Sequence, residues 1–135
     1  MEKNDRRGTG MKIIDDFKQG EDEWNDWRAI RATASEYAKI LTGTGKISGQ
    51  REAYMRSCAI SRRYKLPSWS GNGYTDRGHK LEPIARGLFQ QANPDLEVKE
   101  VAAMEHEIGL CGGSPDGLIY RAGKLVSGLE IKCLN

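Results

Sequence analysis

GGSPDGLIYRAGKLVSGLEIKC, from Gly112 to Cys133, is the stretch whose reading decides the fold of this 135-residue chain. Two runs, DGLIY and KLVSGLEIKC, are rich in strand-forming residues and meet around Ala122-Gly123, so they predict a β-hairpin. In a strand, alternate side chains face opposite sides. Glu130 and Lys132 would share one face of GLEIKC, and Leu129, Ile131 and Cys133 the other, core-facing side.

The hairpin can bring Asp116 opposite Glu130, so two carboxylates and one ammonium converge. That set suits phosphodiester hydrolysis. Carboxylates hold a hard cation such as Mg²⁺ and leave positions for water and phosphate oxygens. The cation acidifies a water, and a lysine orients or deprotonates that water or offsets phosphate charge. Gly112-Gly113 and Gly117 would let backbone approach a bulky substrate. The bland alternative stands beside this one: Asp116 in SPDG suits an ordinary turn, and Glu130/Lys132 an ordinary amphipathic strand.

Upstream, EDEWNDWRAI reads as a short helix, acidic in its first turn. Trp24 and Arg28 are four apart on it, as are Trp27 and Arg31, so each pair shares a face. Thr33 and Glu36 fit a capping box, predicting a second helix from Ala34. TGTGKISG is a loop, after which Ser48 is expected to cap a third helix to about Tyr64. KLPSWSGNG is a further loop. YTDRGHKLEPIARGLFQQA predicts a fourth helix, bent by Pro83, and LEVKEVAAM a strand. Residues 1–12 read as a flexible arm and 13–135 as one domain. Helices followed by a β-meander make the fold a mixed α/β (α+β) one.

Composition narrows the classes. At 38% hydrophobic and 30% charged the chain is ordinary for a soluble protein, and no apolar run approaches a membrane span. MEKNDRRGTG lacks the apolar core of a signal peptide. Cys58, Cys111 and Cys133 are odd in number and widely spaced, which suggests reduced thiols in a cytosolic protein. Net charge is only +2, but Lys46 to Lys65 holds six basic residues against one acidic, Glu52. That run is either a phosphate-binding face or a solvated helix surface. His79 and His106 read as surface or packing residues rather than ligands or bases, Arg86 as either a phosphate contact or an ion-pair partner of Glu82, and Trp24 and Trp27 as either base-stacking or, for at least one, core.

SPDG, a short hairpin and then LEIKC resemble the PD-(D/E)xK nuclease core, and most of all the phage lambda exonuclease, or YqaJ-like viral recombinase, family. QGEDEWNDWRAIRATASEYAKIL resembles the N-terminal signature of that family, and RGHKLEPIAR its middle signature. The three cover roughly Gln19 to Cys133 in the right order. The resemblance implies a restriction-endonuclease-like core, with Asp116, Glu130 and the Ile131 carbonyl as metal ligands. It implies Lys132 as the catalytic lysine and Glu82 as the carboxylate at a second metal or its water. Arg28 and Ser35 would bind the DNA phosphate at a 5′ end.

It further implies Mg²⁺ (or Mn²⁺) as cofactor and 5′→3′ degradation of one strand of duplex DNA in phage-type recombination. A homo-trimer, a single-strand annealing recombinase as partner, and the cytoplasm of a bacterium carrying a phage or prophage belong to the same expectation. Ala29-Ile30-Arg31-Ala32 stands where the family often has L-G before T-A-S, and Leu134 where it often has proline. Family members continue with a helix and further strands, so the sheet is expected to be incomplete at the C-terminus and the chain weakly active or inactive by itself. The alternatives are a structure- or sequence-specific endonuclease on the same core, and a truncated DNA-binding protein without catalysis.

Overall fold

The computed structural model describes residues 10–66 and 76–133. Its hairpin is β6 (Gly117–Arg121) and β7 (Lys124–Leu129), antiparallel, with Arg121 opposite Lys124 and Gly117 opposite Leu129. Ala122 and Gly123 form the two-residue turn, both at positive φ (48° and 75°). A two-residue turn of that hand matches the right-handed twist of the strands it joins. The register slips between Ile119 and Tyr120, a bulge that gives β7 one extra residue. β3 (Glu97–Lys99) pairs antiparallel with the other edge of β6, giving the order β3-β6-β7.

A second sheet has the order β1-β4-β5-β2. Its strands are β1 (Met11–Ile14), β2 (Ala32–Thr33), β4 (Ala103–His106) and β5 (Cys111–Gly113). β2 runs parallel to β5; the other pairs are antiparallel. Helix α1 (Asp22–Ala29) lays Trp27 on this sheet, in a buried cluster with Ile14 and Ala103 and against Phe17. Gly112 leaves room for that indole: a Cβ there would sit 2.8 Å from the Trp27 ring and 2.4 Å from the Met104 carbonyl oxygen. The Trp27 indole N–H donates to Glu105 Oε2 at 3.1 Å, and Arg31 closes the group by stacking on Trp27 and reaching Glu105.

The expected helices exist, with changed bounds. α1 lies where the periodicity put it. The segment from Ala34 is a 3₁₀ helix to Lys39, and the Thr33 side chain makes no cap bond. Thr33 Oγ1 lies 3.3 Å from Ser35 Oγ, while Glu36 pairs with Lys39, so both halves of the capping box are spent elsewhere. α2 runs Arg51–Tyr64, because Ser48 Oγ accepts the Gln50 N–H in a turn ahead of the helix. α3 spans Asp76–Ala92 with Pro83 inside it. The Gln90 side chain accepts the Val98 N–H at 2.8 Å and so ties the end of α3 to β3.

Four further expectations differ from the structure. LEVKEVAAM is not one strand: β3 and β4 lie in different sheets. Met11 and Lys12, placed in the arm, belong to β1; residues 1–9 and 67–75, which include most of the expected KLPSWSGNG loop and the expected start of the fourth helix, lie outside the described residues. β7 ends at Leu129, so Glu130 to Cys133 are not strand. Cys133, expected in the core, is exposed. The last two share a cause: Pro115 cannot donate to a ladder, and beyond Gly117 the Asp116 carboxylate takes over from the backbone as acceptor.

Candidate active site

A cleft of about 510 Å³ opens between the β1–α1 loop, α3, the link from β3 to β4, and Asp116. Glu82 and Asp116, distant in sequence, both line it. Arg86 joins them. Its Nη2 donates to Glu82 Oε1 at 2.5 Å and its Nε to the Asp116 carbonyl oxygen at 2.9 Å. Its Nη1 pairs with Glu100 Oε1 at 2.9 Å. One turn of α3 separates Glu82 from Arg86, so the helix sets that pair by itself. The guanidinium is 12% exposed and Glu82 22%, so screening by water is limited. Gln19 braces the opposite wall, donating at 2.9 Å to both the Val101 and the Pro115 carbonyls.

Asp116 also meets the hairpin. Its N–H donates to the Leu129 carbonyl at 3.0 Å, and its Oδ2 accepts the Ile131 N–H at 2.6 Å. The Gly117–Leu129 pairing brings Asp116 alongside the segment that starts at Glu130. Glu130 itself turns outward. It is exposed, pairs with Lys132, and does not line the cleft.

A second cluster adjoins the cleft through Trp24. Arg28 stacks on the Trp24 ring at 4.4 Å and donates to Ser35 Oγ at 3.0 Å. The Trp24 indole N–H donates to Ser114 Oγ at 2.8 Å, two residues before Asp116. Arg28 and Ser35 thus sit together, while Trp24 and Trp27 are both buried. His106 accepts the Ile108 N–H in a turn, and the His79 side chain lies outside the described residues.

Carboxylates are the donors that a hard divalent cation takes. Asp116, Glu82 and Glu130 supply that chemistry, but among the described residues no three acidic, histidine or cysteine groups gather into a cation-binding set. The donor types fit such an ion, and the side chains stand engaged with Arg86, Lys132 and the Ile131 amide. Sequence reasoning missed Glu100, Gln19 and Ser114. The i,i+4 spacing announced the Glu82–Arg86 pair, but nothing local pointed to the reach of Arg86 across to Glu100 and Asp116.

Behind Arg28, α2 packs against the segment before the 3₁₀ helix. The Tyr54 hydroxyl accepts the Thr33 N–H and donates to the Arg31 carbonyl, and the Cys58 thiol donates to the same carbonyl. Burial pushes both the Tyr54 hydroxyl and the Cys58 thiol up from their ordinary pKa values. Lys39 is raised by its hydrogen bond to Glu36.

The mixed α/β architecture, with Glu82 and Asp116 lining one cleft, matches a nuclease fold. The family described as the YqaJ-like viral recombinase domain matches residues 23–135, and the chain belongs to it. The chain is similar to the crystal structure of an alkaline exonuclease, LHK-Exo, from Laribacter hongkongensis. Identity is 31% and the TM-score 0.57, over 74% of this chain and 48% of that one. LHK-Exo in complex with dAMP matches at 31% identity and a TM-score of 0.58, over 73% and 48%. The chain thus spans about half the length of these solved relatives. No curated protein shows significant similarity to it. Among the described residues, no helix is long and apolar enough to cross a membrane.

Proposed function

We propose that this chain carries the catalytic core of a metal-dependent DNA exonuclease that hydrolyses one strand of duplex DNA in the 5′→3′ direction. The observation that carries this reading is the placing of Glu82 and Asp116 on one cleft, with Asp116 held against the Glu130-Ile131-Lys132 segment. Family membership and the likeness to an alkaline exonuclease support it.

In this reading Asp116 and Glu130, with the Ile131 carbonyl, hold Mg²⁺ (or Mn²⁺), and Glu82 serves a second metal or its water. A bound cation would polarise the scissile phosphate and acidify a water. Lys132 Nζ orients that water or accepts its proton, and Arg28 with Ser35 binds the phosphate at the 5′ end. A homo-trimer and a single-strand annealing partner belong to the same proposal.

The test is digestion of 5′-labelled linear duplex and of closed circles, with and without Mg²⁺. Mg²⁺-dependent loss of the linear form, sparing circles, is expected. Cleavage of circles would replace the exonuclease with an endonuclease. No cleavage, with binding that survives Asp116→Ala, would leave a DNA-binding protein.

A further inference from the structure

The proposed function leaves the basic run of Lys46 to Lys65 unused, and the structure shows how it is displayed. α2 turns Cys58 inward, with Tyr54 and Ser61 partly covered on the same side. At about 100° per residue, Arg51, Arg62, Arg63 and Arg56 fall within one arc of roughly 140°, which starts about 20° from Cys58 and runs round to the far side. All four are exposed, and Lys46 and Lys65 flank the helix, exposed as well. The one acidic residue of the arc, Glu52, is answered by Arg56 at 2.7 Å. Among the described residues, no carboxylate pairs with Arg51, Arg62 or Arg63. Among the described residues, Arg62 bonds a backbone oxygen, that of Gly109.

We propose that this arginine face of α2 is a docking surface for the sugar–phosphate backbone of duplex DNA, away from the cleavage cleft. The proposal rests on the nuclease reading for its occupant. The charge is complementary, and a guanidinium fork fits phosphate oxygens. Arg51 and Arg62 are eleven residues apart, about 16 Å along the axis, so the face can meet several phosphates of a duplex. An anionic membrane fits less well, because Met55 is the sole exposed large apolar residue in the arc and a membrane-surface helix needs a broad apolar face. The face is also fixed in place. Tyr54 and Cys58 bond the backbone at Arg31 and Thr33, between Arg28 and Ser35. DNA lying on α2 is thereby indexed to the pair that would hold the 5′ phosphate.

The experiment measures binding of a blunt duplex in EDTA over a salt series, for the wild type, Arg51→Glu/Arg63→Glu and Arg121→Glu/Lys124→Glu. The last pair changes charge equally, at the hairpin turn far from Asp116 along β6. Melting curves confirm that each variant folds. The α2 variant is expected to bind at least about tenfold more weakly, with a salt slope smaller by roughly 0.9 per lost phosphate contact. The hairpin variant is expected to match the wild type. Equal behaviour of the two variants overturns the proposal, as does binding of anionic vesicles in place of duplex. Cleavage is scored separately with Asp116→Ala. An α2-dependent slope without Mg²⁺-dependent cleavage by the wild type sinks the nuclease reading and keeps the surface. Cleavage with an α2-independent slope does the reverse.

Discussion

The Asp116 carboxylate accepts the Ile131 amide proton at 2.6 Å, where a backbone carbonyl would otherwise continue the hairpin ladder. The bond fixes the direction of a proposed metal ligand and ends β7. Asp116→Asn keeps an acceptor and is expected to lose less than about 1 kcal/mol of stability; Asp116→Ala leaves the amide unpaired and loses about 1–3 kcal/mol. Both are expected to lose at least about a hundredfold in cleavage. Urea melts and a nuclease assay on the two variants check this. Equal melts would show that the bond does not hold the hairpin end.

Arg86 faces Glu82, Glu100 and the Asp116 carbonyl at once. Arg86→Ala strands a largely buried Glu82, and a loss of about 3 kcal/mol is expected. Arg86→Lys recovers only part, since an ammonium lacks the planar fork that serves three acceptors. Combining Arg86→Ala with Glu82→Gln should cost less than the sum of the single changes, read by denaturant melts.

Gly112 has no room for a methyl group between Met104 and Trp27. Gly112→Ala is expected to cost about 3 kcal/mol, because both neighbours belong to the packed sheet. A drop in melting temperature and a shift in tryptophan fluorescence are the readouts.

Ala122 holds a left-handed backbone at φ 48°. Ala122→Gly is expected to stabilise the chain by up to about 1 kcal/mol, since glycine meets no Cβ penalty there. An unchanged or lower melting temperature would contradict the turn assignment.

The Cys58 thiol is raised by burial above its ordinary 9.0 and the Tyr54 hydroxyl above 10.0. Around pH 9 for the thiol, and around pH 10 for the tyrosine, the unfolded chain releases protons that the folded one keeps. Stability is therefore whole below that range and falls as pH rises. Melts from pH 7 to 10.5 should show the fall, and Cys58→Ser should reduce it. Alkylation at pH 8 should reach Cys111 and Cys133, both exposed, well before Cys58.

Much of the site was legible because it is local. The Trp24/Arg28 and Trp27/Arg31 stacks follow from one helical turn, and Glu82–Arg86 from another. The capping box misled because Thr33 and Glu36 had nearer partners, Ser35 and Lys39, once the turn tightened to 3₁₀. β1 was invisible, since a short, mostly exposed strand carries little pattern and exists only through its pairing with β4.

By itself the sequence determined the hairpin, its two-residue turn, the existence of α1, α2 and α3 and the family signatures, all of which rest on periodicity or on neighbours a few residues apart. Only the tertiary structure decided that Glu82, Glu100 and Asp116 meet across Arg86, and that Glu130 faces outward while Asp116 faces the cleft. Those outcomes depend on how α3 and the hairpin pack together. Contacts between residues tens of positions apart leave no period in a chain.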